Sequence, residues 1–153
     1  MNRKTALITG ATSGIGMACA RRFAVGGYNL IITGRSADKL QALKAELEAG
    51  GVEVLALAFD VCNREATRDA VASIPDAFKP IDVLINNAGL ARGLEPEYEG
   101  DFQDWDEMID TNIKGLLNMT RFVVPGMVSL NHGHVRNIGS VAGDAAYAGG
   151  GVY

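Results

Sequence analysis

Cysteine is scarce in this 153-residue chain: Cys19 and Cys62 are the whole supply, and they form no CxxC pair. A disulfide framework is excluded, and a reducing, cytoplasmic setting is expected. Long hydrophobic runs are missing too. No stretch approaches the ~20 apolar residues that span a bilayer, and the apolar segment that follows the basic start of the chain breaks at Gly10. Neither a membrane partner nor an export signal is therefore expected. Positive charge is also in short supply, with 14 Lys and Arg against 18 Asp and Glu for a net charge of −4. Nucleic-acid binding rests on clustered basic residues that neutralise phosphates, so no nucleic-acid partner is expected. No metal site is expected either, and no repeat, linker or low-complexity segment interrupts the chain.

Glycine and apolar residues are what the chain does have. The 19 glycines exceed the usual share of roughly 7% but show no triplet period, which excludes collagen. They are expected at turns and close backbone approaches. A hydrophobic content of 48% in 153 residues is enough for one domain, residues 1–153, with a buried core. Apolar runs of strand length alternate with longer amphipathic stretches. That alternation predicts an α/β fold, a doubly wound parallel sheet.

The first strand is expected at Thr5–Thr9, then a helix at Ile15–Val25 stopped by Gly26 and Gly27, and a second strand at Asn29–Thr33. Asp38 with Gln41 three residues on resembles a capping box, opening a helix to Ala49 with Leu40, Leu43 and Leu47 on one stripe. Val52–Phe59 reads as a third strand buried on both faces. Asn63 is placed to cap a helix reaching about Ile74, and Pro75 and Pro80 bracket the turn into a fourth strand, Ile81–Ile85. In the long helical pattern that follows, Trp105, Met108, Ile109, Ile113, Leu116, Leu117, Thr120 and Val124 recur at three and four residues. It predicts one buried side and a bend near Pro125. The fifth strand is expected at about His134–Ile138, giving five strands and four helices.

The segment Thr9-Gly10-Ala11-Thr12-Ser13-Gly14-Ile15-Gly16 joins the first strand to the first helix. A chain that must turn sharply, admit a phosphate to its backbone and pack helix on strand has no room for side chains. The helix N-terminus adds free N–H groups and partial positive charge. Nucleotide binding is the expected function, and the spacing is not that of a P-loop. Beyond the second strand, where an acidic residue would hold the ribose 2′-OH of NAD, the chain reads Gly34-Arg35-Ser36. Arg35 there favours the 2′-phosphate of NADP over NAD.

On these residues the chain resembles the short-chain dehydrogenase/reductase family over its whole length. The TGxxxGxG pattern lies at Thr9–Gly16, Asp60-Val61 ends the third strand, and Asn86-Asn87-Ala88-Gly89 ends the fourth. Asn112-Ile113-Lys114-Gly115 lies on the long helix, and Ser140 precedes Tyr153 by 13 residues. Asn86–Ala91, Trp105–Gly115 and Tyr147–Tyr153 are most similar to the NADP-dependent 3-hydroxy acid (serine or allo-threonine) dehydrogenases. The resemblance implies a sheet order of 3-2-1-4-5, a small hydroxy or carbonyl substrate, and a homo-oligomer, a tetramer at full length, built partly through the long helix.

The resemblance assigns cofactor contacts to Gly10, Thr12, Ser13, Gly14, Ile15 and Gly16, to Arg35, to Asp60 at the adenine amino group with Val61 beneath the ring, and to Asn87, Ala88 and Gly89. Asn86 is expected to tie that loop to neighbouring backbone. The implied chemistry gives Asn112 a water of the proton relay, Ser140 the orientation of the substrate oxygen, and Tyr153 the role of acid/base. A phenol of pKa ~10 is sluggish in that role, and the family lowers it with a Lys four residues on. Here the sequence stops at Tyr153, so a carboxyl-truncated chain lacking the family's last two strands is expected. With it stand two alternatives, a catalytically inactive NADP-binding fragment or interaction module, and a partial reading frame. The fifth strand is then an unpaired edge, and its Arg136 either snorkels to that edge or is an unpaired buried charge.

Overall fold

The computed structural model describes residues 3–145 of the chain. Five parallel strands form one sheet: β1 (Thr5–Ile8), β2 (Asn29–Gly34), β3 (Val54–Ala58), β4 (Ile81–Asn86) and β5 (His134–Asn137), in the order β3-β2-β1-β4-β5. The expected doubly wound topology and strand order are both present. Side chains alternate across β1 and β2, so Ile8, Leu30 and Ile32 face one way and Leu7 and Ile31 the other.

Helices α1 (Gly14–Val25) and α2 (Ala37–Glu48) cover the first face, with Ala20, Leu40, Leu43 and Leu47 packed on the sheet. Helix α3 (Arg64–Ala72) and the long helix behind it cover the second with Val71, Met119, Val123 and Met127. Leu7, Ile8, Leu30, Ile31 and Ile32 are fully buried. Each such side chain contributes about 1.5–3 kcal/mol of transfer free energy, which fixes the sheet and presents its carboxyl ends as one rigid rim.

Three local expectations are corrected. Helix α2 opens not at Asp38 but at Ser36, whose backbone is extended and whose Oγ accepts the Lys39 amide, so Asp38 sits inside the first turn beside the positive end of the helix. Strand β3 is shorter than expected and covered unequally: Val54 is buried, Leu55, Ala56 and Leu57 are half-buried and Ala58 is exposed, because β3 is an edge of the sheet. The long helical pattern is not one regular helix. α4 (Phe102–Met108) passes through a π-helical turn, Ile109–Gly115, into α5 (Leu116–Ser129), which continues through Pro125.

A π turn inserts a residue into the helical repeat and rotates the faces that follow. The expected apolar stripe is split by that rotation. Met108 is buried while Ile109, Ile113 and Leu117 are 37, 54 and 57% exposed, and burial passes to Gly115, Asn118, Met119, Val123 and Met127. Strand β5 lies at the opposite edge, every residue exposed, and Arg136 is on the solvent side of the two readings open to it.

Candidate functional site

The carboxyl ends of the five strands frame one open cleft of about 730 Å³. Its first wall is the turn between β1 and α1. Gly10 has φ +63°, and a Cβ there would lie 2.9 Å from Ala88 Cα; a Cβ on Gly16 would collide with the Gly10 carbonyl oxygen and the Asn87 side chain. Glycine is required at both places because two loops approach backbone to backbone. Gly16 itself is buried beneath the turn, while Gly10, Thr12, Ser13, Gly14 and Ile15 line the cleft. Ser13 is the N-cap of α1 but makes no side-chain capping bond, and the first turn of α1 holds no acidic residue. The opening amides of α1 are thus left for an anion at the positive end of the helix dipole.

The turn is fastened from both sides. Ala11 N donates to Thr33 O at 2.9 Å, tying it to β2. Toward β4, buried Thr9 holds the joint: its Oγ1 donates to Ile85 O (3.3 Å) and accepts from Asn87 N and Ala88 N (both 2.9 Å). Asn87 Nδ2 returns bonds to Thr9 O (2.9 Å) and Gly10 O (3.1 Å). The tie to neighbouring backbone is therefore made by Asn87. Asn86 instead donates from Nδ2 to Thr120 Oγ1 (3.1 Å) on α5 and to Asn137 Oδ1 (2.9 Å) on β5. Its Oδ1 is buried and unpartnered. Ala88 and Gly89 follow Asn87 along the cleft wall.

At the other end of the cleft, Arg35 is exposed at the end of β2, and Asp60 and Val61 follow β3. Asp60 Oδ1 accepts from Cys62 N at 2.9 Å, while Asn63 rather than Asp60 caps α3 through a 3.0 Å bond from Ala66 N. Val61 is buried, its carbonyl accepting from Asn118 Nδ2 at 2.8 Å. A Cβ on Gly115 would stand 2.6 Å from Val61 Cγ2, so the π turn lies directly against this residue. Cys62 Sγ meets Thr111 Oγ1 of the π turn at 3.3 Å, and burial pushes its thiol above the ordinary range.

Asn112, in the same π turn, pairs with the main chain of Leu90: Oδ1 accepts the Leu90 amide (2.9 Å) and Nδ2 donates to its carbonyl (2.8 Å). The loop after β4 is thereby pinned to the helix, and Gly89 runs close enough that a Cβ would stand 3.1 Å from Asn112 Oδ1. Ser140, exposed on the far wall beyond β5, accepts from Ala142 N at 3.2 Å and starts the 3₁₀ turn Val141–Gly143. Tyr153 lies outside the described residues, so 14 of the 15 residues singled out from the sequence are described; all but Gly16 line this one cleft.

Thr9, Asn118 and Thr33 were not singled out. Thr9 stands first in the glycine motif and was the most legible of the three, whereas Asn118 reads as an unremarkable helix residue. Thr33, 1% exposed at the end of β2, has an unpartnered Oγ1 and lines the cleft. Among the described residues no three His, Cys, Asp or Glu side chains converge on a metal-sized site, and no helix is long and apolar enough to cross a membrane.

Residues 4–153 match the short chain dehydrogenase family. The chain is 55% identical over 147 residues to the NADP-dependent 3-hydroxy acid dehydrogenase YdfG of Salmonella typhi, a match covering 96% of this chain and 58% of that protein. It thus spans a little under three-fifths of that relative's length. The crystal structure of serine dehydrogenase from Escherichia coli superposes with a TM-score of 0.92 at 50% identity, covering 97% of this chain and 68% of that one. The closed form of a serine dehydrogenase complexed with NADP+ superposes with a TM-score of 0.93, also at 50% identity, covering 97% and 59%.

Proposed function

We propose that this chain, which belongs to the short-chain dehydrogenase family, forms the nucleotide-binding portion of an NADP-dependent oxidoreductase that interconverts a small hydroxy compound, of the 3-hydroxy acid class, with its carbonyl partner. The observation that carries the reading is the cradle at the start of α1. An uncapped helix N-terminus opens onto a cleft whose turn tolerates no Cβ at Gly10 or Gly16. Such a cradle suits a diphosphate, which gains donors and a favourable dipole where a side chain would clash.

In this reading the amides that follow Ser13 bind the diphosphate, and Arg35 takes the 2′-phosphate through charge-assisted hydrogen bonds. Asp60 accepts from the adenine amino group through the carboxylate oxygen not given to Cys62, and Val61 supports the ring. Ala88 and Gly89 let the nicotinamide half approach backbone held in place by Asn87 and Asn112. When bound, NADP(H) supplies or accepts the hydride at the substrate carbon. Ser140 orients the substrate oxygen, Tyr153 exchanges its proton, and the π turn at Asn112 holds the water that relays protons onward. The relative's printed name, NADP-dependent 3-hydroxy acid dehydrogenase, supports both cofactor and substrate class. A cytoplasmic setting agrees with the two free cysteines. A homo-oligomer, a tetramer at full length, agrees with the exposed Ile109, Ile113 and Leu117 on the long helix.

Fluorescence titration with NADPH and NADH tests the nucleotide assignment. NADPH is expected to bind more tightly, and Arg35→Asp to reverse the order; a folded chain that binds neither nucleotide overturns the reading. Turnover of a 3-hydroxy acid with NADP+ then separates an enzyme from a binding module without catalysis, which would bind NADPH and show no reduction.

A further inference from the structure

Most side chains that face the cleft are already engaged. Asn112 spends both polar atoms of its amide on Leu90, Asn87 Nδ2 bonds Thr9 O and Gly10 O, and Ser140 Oγ accepts the Ala142 amide. Thr33 is different. Its Oγ1 is buried with no hydrogen-bond partner, although its own carbonyl accepts from Ala11 N. A buried hydroxyl left without a partner costs about 1–3 kcal/mol, and native interiors seldom leave one so without cause.

Where Thr33 stands gives that cause a direction. Strand alternation puts its side chain on the same face as Ile31, and the register sets it beside Leu57 of β3. It is the next-to-last residue of β2, immediately before Gly34 and Arg35, and shares the cleft lining with Asp60 and Val61. A hydroxyl at this place serves as donor and acceptor, and valine would fill the same volume if packing were its only task.

Resting on the nucleotide reading above, we infer that Thr33 is a further nucleotide-positioning residue, its Oγ1 completing its hydrogen bonding on the adenosine half of the bound dinucleotide. The orphaned hydroxyl is then the counterpart of a ligand polar atom. It adds to Arg35 and Asp60 an uncharged contact that is indifferent to salt and sits at the base of the adenosine subsite.

The test compares Thr33→Val with Thr33→Ser in the 153-residue chain by calorimetric titration with NADPH and with adenosine 2′,5′-bisphosphate. Thr33→Val is expected to weaken both ligands by roughly tenfold, the reach of one hydrogen bond net of solvation, while leaving the unfolding temperature equal or higher. Thr33→Ser, which keeps the hydroxyl, is expected to restore most of the affinity. Unchanged affinity in Thr33→Val, or a loss confined to NADPH and not seen with the bisphosphate, overturns the inference. If Thr33→Val does not fold, Thr33→Ala and Thr33→Ser give the same comparison, with equal affinities overturning it. Failure of the unmodified chain to bind NADPH would instead overturn the nucleotide reading itself, so the two failures are distinct.

Discussion

Thr9→Val is the most direct test of the joint that shapes the cleft. The two side chains are nearly isosteric, and Thr9 is 1% exposed, so the change removes one oxygen and leaves the packing almost intact. That oxygen accepts the amides of Asn87 and Ala88, both at 2.9 Å, and its own hydrogen makes a longer 3.3 Å bond to Ile85 O. The Ile85 carbonyl keeps its bond from Thr9 N at 3.0 Å, so little is lost there. Two half-buried amides lose their acceptor, at about 1–3 kcal/mol each. Their partial exposure places the sum toward the lower end, about 2–4 kcal/mol, less about half a kcal/mol returned by the added methyl's burial. Urea unfolding should show the midpoint falling at unchanged m-value. NADPH affinity should fall with it, because Asn87 and Ala88 carry the cleft wall that packs against Gly10. Thr9→Ser should recover most of both effects. A Thr9→Val chain within 0.5 kcal/mol of the parent, on the scale of ordinary surface substitutions, would refute the idea that this hydroxyl holds the two loops.

The fold was legible because its signals are periodic and local. Strands buried to the last atom, such as Leu30-Ile31-Ile32, read as apolar runs, and glycine pairs at Gly26-Gly27 and Gly50-Gly51 stop the helices between them. What stayed hidden depends on partners distant in sequence. The π turn is invisible in the helical spacing because it exists where Asn112 meets Leu90 and Gly115 meets Val61, contacts that span 22 and 54 residues. A helix drawn from sequence keeps its stripe; the real one gives it up to bring an amide to a loop. The division of labour between Asn86 and Asn87 was hidden for the same reason. Adjacent residues with the same side chain end up on opposite sides of the backbone, one bridging α5 and β5, the other holding the glycine turn. Thr33 carries no signal in the sequence because threonine is an ordinary strand residue, and only burial without a partner distinguishes it.

Gly16→Ala should lower the unfolding temperature and NADPH affinity together, since its Cβ meets a backbone carbonyl and a side chain with no free space; overpacking of this kind costs about 1–3 kcal/mol. Asn112→Ala should raise the hydrogen-exchange rate of the Leu90 amide well above that of its neighbours, and protection equal to the parent's would show the loop to be held by something else. Asn118→Leu removes the 2.8 Å donor to the Val61 carbonyl. The remaining approach, from Thr67 Oγ1 at 3.4 Å, shares its hydrogen with a 2.8 Å bond to Asn63 O, so urea unfolding should register a loss of about 1–2 kcal/mol. Cys62 gives the pH-dependent case. Burial raises the pKa of its thiol, outweighing the Thr111 hydroxyl that acts in the opposite direction, and nearby Asp60 raises it further. The neutral thiol therefore persists to higher pH than in a free cysteine, and since the thiolate is the nucleophile, alkylation must be slow at pH 8 and accelerate only above the range of an exposed thiol. In a Cys19→Ala chain the rate of reaction with iodoacetamide against pH reads Cys62 alone. A midpoint of the rate profile at or below the pH of a free thiol's would mean that the Cys62 sulfur is not half-buried against the π turn as the structure has it.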